Sequence, residues 1–189
     1  VIVLLVLLFA IAVYAQEDDS LLVSSSDSVI QSYPLDTVAY SPDGRLVVSG
    51  GRDNIAHIYD TRTSEQQGML VGHASWIARI AFSPNGDRVA TGGHDGTVRL
   101  WNPNNYGELQ RLTHHTGTVT GVAFSPDGIL LASGGTDGTI WIGEAASGAE
   151  IATLINYSGP VWNVAFSPDS GSLVSGSEDG TIWWWGLYD

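Results

Sequence analysis

A four-residue motif recurs along this chain at a fixed interval of 42 residues. The first copy is Ser41-Pro42-Asp43-Gly44, and later copies begin at Ser83, Ser125 and Ser167. An aspartate keeps the same interval and follows a pair of small residues; the four copies are Asp53, Asp95, Asp137 and Asp179. A period of about 40 to 45 residues predicts stacked structural units, none of which could bury its apolar surface alone.

Each unit reads as four short strands. In the second unit we expect strands over residues 77–82, 88–91, 97–101 and 109–112, separated by turns that contain proline, asparagine or glycine. Such a unit is a four-stranded antiparallel meander, and radial stacking of these sheets produces a β-propeller. The predicted fold class is therefore all-β, with four consecutive blades.

Composition narrows the range of partners. The chain has seven arginine and lysine residues against twenty acidic residues, a formal charge of −13. We therefore expect no nucleic-acid partner, because the sequence has no basic stripe that could neutralise phosphates. The chain has no cysteine, which excludes disulfides, thiolate metal sites and a cysteine nucleophile.

The first fifteen residues differ in character from the repeats. Residues 1–15 carry no charge, and the acidic, serine-rich residues 16–31 follow them. Because a transmembrane helix needs about 20 apolar residues, residues 1–15 favour a signal-peptide core; a retained membrane anchor and a buried core helix are the alternatives. We expect residues 16–31 to be a linker, with an edge strand at 21–23 or 29–30 as an alternative. The predicted location is secreted, periplasmic or membrane-anchored, with the propeller extracytoplasmic.

The repeats resemble those of the WD-repeat β-propellers. The resemblance covers residues 32–189, in repeats of about 32–63, 64–105, 106–147 and 148–189. The second repeat is the most complete, with Gly72-His73, the Ser83 turn, Asp95 and Trp101-Asn102. Propellers of this family usually have six to eight blades, and in them another strand would follow the last repeat. The resemblance therefore implies a partial propeller whose last blade lacks its outer strand, and a fragment whose closure needs further blades.

The family is also known for a buried tetrad of histidine, serine or threonine, aspartate and tryptophan. The resemblance implies this role for His73, Thr91, Asp95 and Trp101 in the second repeat, His115, Ser133 and Asp137 in the third, Ser175, Asp179 and Trp185 in the fourth, and Ser49 and Asp53 in the first. Gln31 and Tyr157 stand where the first and fourth repeats would have the histidine, and Gly143 replaces the third tryptophan. We therefore expect the second blade to be the most rigid.

Family contact positions lie on the loops around the propeller channel. Carried over at the 42-residue interval, they give as candidate partner-binding residues Asp36, Arg52, Trp76, His94, Thr118, Thr120, Trp162 and Glu178. Exposed tryptophan is a frequent interface anchor, although Trp76 and Trp162 could equally pack between blades.

Catalysis and metal binding have weaker support. His73, Thr91 and Asp95 superficially resemble a triad, but the tetrad would bury them without an oxyanion hole. His114 and His115 are adjacent on a strand and would point to opposite faces, so we predict no metal site, no cofactor and no catalytic residue. The predicted function is a noncatalytic scaffold that binds a protein or peptide; the alternative is a docking propeller of a larger enzyme.

Overall fold

The computed structural model describes residues 33–155 and 158–187, which form fifteen antiparallel strands. The first two sheets are blade 1, with β1 (Leu35–Tyr40), β2 (Leu46–Gly51), β3 (Ile55–Asp60) and β4 (Gln66–Val71), and blade 2, with β5 (Ile77–Phe82), β6 (Val89–Gly93), β7 (Val98–Trp101) and β8 (Glu108–Leu112). The next two are blade 3, with β9 (Val119–Phe124), β10 (Leu130–Gly135), β11 (Thr139–Glu144) and β12 (Glu150–Ile155), and blade 4, with β13 (Val161–Phe166), β14 (Ser172–Ser177) and β15 (Ile182–Gly186).

The recurring motif forms the turn between the first two strands of each blade. In blade 1, the Ser41 hydroxyl donates to Asp43 at 2.6 Å and accepts from the N–H of Leu46 at 2.9 Å. The fourth residue of the turn needs a positive φ, which glycine adopts without steric cost: φ is 70° at Gly44. In blade 4, Ser170 takes that position with φ 62°.

Successive blades pack face to face through three apolar clusters. The leading face of each blade, meaning the face toward the next blade, packs on the trailing face of its neighbour. The cluster between blades 1 and 2 contains Val48, Ala56, Ile58, Leu70, Ile77, Ile80, Val89 and Trp101. Largely the same positions form the clusters between blades 2 and 3 and between blades 3 and 4, except that Trp141 contributes the tryptophan of the cluster between blades 2 and 3 from a different position. The core therefore lies between the sheets rather than within any one of them.

The two outer faces of the described blades carry exposed apolar side chains. On the leading face of blade 4, Ile182 is 64% exposed and Trp184 is 70% exposed, whereas the equivalent Val98 and Leu100 of blade 2 are 2% and 0% exposed. On the trailing face of blade 1, Tyr40 is 48% exposed. The described blades thus form an unclosed part of a propeller, and the predicted fold class is confirmed, including the three strands of blade 4.

The predictions for residues 1–15 and 16–31, and for Gln31 and Tyr157 at the histidine positions, lie outside the described residues. Within the described part of the chain, no helix is long and apolar enough to span a membrane.

Candidate functional site: buried tetrads and an exposed rim

Blade 2 holds a complete hydrogen-bonded chain of four side chains. His73 Nδ1 lies 3.0 Å from Asp95 Oδ2, and His73 Nε2 lies 2.7 Å from the Thr91 hydroxyl. Trp101 Nε1 donates to the same hydroxyl at 2.8 Å. Because a carboxylate only accepts, Nδ1 carries the imidazole proton and Nε2 accepts from Thr91. Each of these buried polar groups has a partner, which avoids a cost of about 1–3 kcal/mol for each unpaired group.

Asp95 is the central acceptor of this network. It also accepts from the N–H of Ala74 at 2.8 Å and from the Thr97 hydroxyl at 2.8 Å. Burial acts to raise the pKa of Asp95, but the donors from Ala74, Thr97 and His73 outweigh it and lower that pKa to about 2. Burial in turn lowers the pKa of His73, against the opposing influence of Asp95. The neutral imidazole and the charged carboxylate are therefore the stable forms in the fold.

Blade 3 keeps the aspartate half of the network and loses the indole half. His115 Nδ1 lies 3.2 Å from Asp137, and Nε2 lies 2.8 Å from the Ser133 hydroxyl. Gly143 provides no indole, and the side chain of Trp141 fills the space beside it. A Cβ at Gly143 would overlap the Trp141 ring. Trp141 is 1% exposed, and its Nε1 has no hydrogen-bond partner.

The end blades depart from the predicted pattern in different ways. In blade 1, the imidazole partner of Asp53 is His57 on β3, with Nε2 2.7 Å from Oδ2, and Tyr33 bonds to the same nitrogen. Burial and then the charge of Asp53 raise the pKa of Tyr33. His57 and Tyr33 are not among the residues predicted from the sequence. The feature that could have indicated His57 is a histidine at the β3 position where blade 2 has Arg99 and blade 3 has Trp141.

In blade 4, Trp185 Nε1 donates to Ser175 at 2.8 Å, and Asp179 accepts from the hydroxyls of Thr181 at 2.5 Å and Ser158 at 3.2 Å. Asp179 is exposed there, whereas Asp95 is half-buried in blade 2. The network of blade 4 thus lies at the solvent boundary.

The tetrad of blade 2 is closed to solvent. The Thr91 hydroxyl belongs to a residue that is 0% exposed, and the side chain of His73 is also 0% exposed. A substrate would have no access to this hydroxyl, which donates to His73 Nε2 and accepts from Trp101 Nε1. Among residues 33–155 and 158–187, no group of three or more metal-ligating side chains lies close enough together to hold an ion.

Five of the candidate binding residues form a continuous line, which we call the rim: Asp36, Arg52, Trp76 and His94, which are exposed, and Thr118, which is half-buried. Asp36 lies 4.0 Å from Arg52, whose guanidinium carbon lies 4.6 Å from the centre of the Trp76 ring. The Trp76 ring meets His94 edge to face at 5.3 Å, and His94 Nδ1 lies 3.4 Å from the Thr118 hydroxyl. The rim crosses blades 1, 2 and 3 on the loop side of the sheets.

The remaining candidates lie apart from the rim. The expectation that Thr120 is an accessible contact residue is wrong. Thr120 is 6% exposed, and its hydroxyl donates to the carbonyls of Gly134 and Val161. Its contact with blade 4 makes it a residue of the blade interface. Trp162 is 46% exposed and Glu178 is exposed, both on the loop side of blade 4.

Comparison with protein families gives one match. The family described as WD domain, G-beta repeat matches residues 31–60, 64–102, 107–142 and 148–186, which together make up more than half of the chain. The first matched stretch covers β1 to β3, and each later stretch begins with the outer strand of one blade and continues to the third strand of the next blade. No curated protein matches the chain.

Proposed function

This chain belongs to the WD-domain, G-beta repeat family, and we propose that it is a noncatalytic scaffold that binds a protein or peptide on its loop face. WD repeats generally mediate protein–protein interaction. The observation that carries the proposal is the rim, a line of contacting side chains that spans three blades and in which four of the five are exposed.

The rim has the composition of an interface centre. Trp76 is 40% exposed, although its ring already contacts Arg52 and His94. Those contacts fix the ring in one orientation, so a partner that packs on it would lose little further side-chain entropy. Tryptophan and arginine are the residue types most often found as energetic centres of interfaces.

The experiment is a selection of peptides from a displayed random library on the wild-type chain. Peptides selected in this way should bind the Trp76→Ala variant at least about tenfold more weakly, as expected for the loss of an interface anchor. A matched control is Leu109→Ala, which removes a side chain that is 44% exposed on the outer strand β8. Binding that is unchanged in Trp76→Ala, or equally reduced in Leu109→Ala, would reject the rim as the binding surface.

We also propose that the propeller acts on the extracytoplasmic side of a membrane. The uncharged composition of residues 1–15 and the acidic residues that follow them support this location. This location can be tested with a reporter enzyme that is active only after export. The reporter is fused to the carboxyl end of the chain, and its activity is measured. Reporter activity that persists when residues 1–15 are deleted, or that never appears, would contradict the proposal.

A further inference from the structure

Glycine marks the place where each of the first three blades comes closest to the next. A Cβ at Gly50 would lie 2.9 Å from Cγ2 of Ile77 and 3.0 Å from Cδ1 of Ile80, both on blade 2. In blades 2 and 3 the equivalent glycines are Gly92 and Gly134, where a Cβ would lie 2.6 and 2.7 Å from a valine of the next blade. At each of these three interfaces the glycine therefore makes room for β-branched side chains of the following blade.

Blade 4 has the same glycine on its leading face, where no described blade follows. Within residues 33–155 and 158–187, a Cβ at Gly176 would meet no atom within 4 Å. Gly176 lies in β14 and its φ is not positive, so the backbone does not require glycine there. Ile182 and Trp184 on the same face are exposed. This face therefore has the shape of the three faces that receive a following blade.

The trailing face of blade 1 carries the side chains that fit such a face. Leu35 and Val38 occupy the positions of Ile77 and Ile80, the two residues that contact Gly50. Val38 is 41% exposed, whereas Ile80 is 8% exposed against blade 1. The chain thus carries both halves of one further blade interface, one half on its first blade and the other on its last.

The turns of the recurring motif show the same complementarity. A Cβ at Gly86 would lie 3.5 Å from the ring of Pro42 in the preceding blade, and a Cβ at Gly128 would lie 3.3 Å from the ring of Pro84. At Gly44 in blade 1, a Cβ would meet no atom of the described residues within 4 Å. The turn of blade 1 therefore has room for the turn of a preceding blade.

We propose that the leading face of blade 4 binds the trailing face of blade 1 of a second copy of this chain. The two faces differ, so the contact is head to tail, and a head-to-tail contact stops growing only when a ring closes. Two copies of four blades make eight, which lies within the range of about four to eight blades that propellers adopt. The closed pair has two identical interfaces, each a continuation of the packing between blades 1 and 2. This inference goes beyond the proposed binding at the rim and does not depend on it.

The test measures the mass of the full chain by analytical ultracentrifugation over a range of concentrations. The wild type should be in equilibrium between one and two copies. Added salt should favour the pair, because it screens the repulsion between two copies that each carry a formal charge of −13.

Gly176→Val tests the leading face directly. Its side chain would occupy the place of Leu35 and Val38 of the second copy, so the dissociation constant of the pair should rise at least about tenfold. Within one copy a Cβ at this position meets open space, so the far-UV circular dichroism spectrum should not change.

Gly186→Val is the matched control in the same sheet. A Cβ at Gly186 also meets no atom of the described residues within 4 Å. The equivalent residue of blade 3, Glu144, is exposed although blade 4 follows, so this position lies outside the blade interface. The dissociation constant of the control should stay within about twofold of wild type.

Val38→Asp tests the other half of the interface. It places a charge on the exposed trailing face of blade 1 and should also raise the dissociation constant at least about tenfold. A pair that survives in Val38→Asp but not in Gly176→Val would show that two leading faces meet each other, which overturns the head-to-tail contact.

Three further results would overturn the inference. The first is a wild type that stays a single copy at every concentration. The second is an association that Gly176→Val leaves unchanged, as expected if residues 1–15 hold the copies together. The third is a mass that grows beyond two copies as the concentration rises.

Discussion

Blade 2 and blade 3 each have a blade on both sides, and they fill the same space with different side chains. In blade 2, Trp101 lies in the cluster with blade 1, and Arg99 lies beside it with Nη1 2.5 Å from Glu108. Gly72 leaves room for both, because a Cβ there would lie 2.5 Å from the Arg99 nitrogen and 2.9 Å from the Trp101 ring.

Blade 3 exchanges all three residues at the equivalent positions. His114 replaces Gly72, Trp141 replaces Arg99, and Gly143 replaces Trp101. The His114 ring stacks on Trp141 at 4.8 Å, and its Nδ1 lies 3.6 Å from Glu150, the counterpart of Glu108. In both blades the same volume is filled, and a side-chain nitrogen lies near this glutamate. The residues that fill the volume and supply the nitrogen differ, and all three positions differ together.

The largest expected effect tests the half of the network that the two blades share. Asp95→Ala and Asp137→Ala each leave a histidine, a backbone N–H and a threonine hydroxyl without their acceptor. Each should lower the free energy of unfolding by about 3 kcal/mol or more, from the cost of several unpaired groups. Urea unfolding measures both. Losses that differ by more than about 1 kcal/mol would show that the aspartate halves are not equivalent.

A transplant tests whether the three exchanged residues act as a set. Gly143→Trp alone should destabilise blade 3 by about 1–3 kcal/mol, because its side chain would overlap the Trp141 ring. The triple variant His114→Gly, Trp141→Arg, Gly143→Trp restores the residue set of blade 2 and should be more stable than the single variant. Hydrogen exchange of the β10 and β11 amides reports on this blade. A triple variant that is no more stable than Gly143→Trp would mean that the three positions are independent.

Replacing Trp101 or Trp141 by phenylalanine removes one buried indole N–H from blade 2 or blade 3, so the contribution of that N–H can be compared between the two blades. Trp101→Phe loses a hydrogen bond of 2.8 Å to Thr91, whereas Trp141→Phe removes an N–H that has no partner. Both variants lose similar buried volume, so the cavity costs should largely cancel. The Trp101 variant should therefore lose about 1–2 kcal/mol more in urea unfolding than the Trp141 variant. Equal losses would show that the bond to Thr91 contributes nothing net.

The smallest expected effect is a dependence of the free energy of unfolding on pH in the acid range. The pKa of Asp95 falls from its ordinary value of 3.8 to about 2 in the fold. A lowered pKa in the folded state means that the contribution to stability is complete above about pH 4 and is lost as the pH falls toward 2. Asp95→Asn cannot titrate at this position, so its unfolding free energy should fall less steeply than that of wild type between those values. Identical slopes would assign the acid sensitivity to other carboxylates.

The lowered pKa of His73 adds an earlier step in the same direction. Its contribution is present above its ordinary pKa of 6.5 and declines as the pH falls below that value, because the unfolded chain takes up the proton more readily. In urea unfolding, His73→Gln should remove the decline that begins as the pH falls below 6.5, and it should weaken without abolishing the step below pH 4, because His73 is one of several groups that lower the pKa of Asp95.

The regular interval of 42 residues was enough to predict the strands, the turns and the order of the four blades. Turns of this kind depend on local chemistry: the Ser41 hydroxyl, the Asp43 carboxylate and the positive φ of Gly44 lie within four residues of one another. Blade 2, the most complete repeat in the sequence, is also the blade in which one unbroken chain of hydrogen bonds joins His73 to Trp101.

Only the tertiary structure decided how the incomplete repeats compensate. Trp141 fills the space at Gly143, His57 bonds to Asp53, and Thr120 bonds to the backbone of blade 4. Each of these contacts depends on side chains that meet across strands or blades. The periodic sequence specifies which positions are equivalent because turns and strand alternation are local. It does not specify which neighbour fills a vacated volume, because close packing is decided jointly by all the side chains that border it.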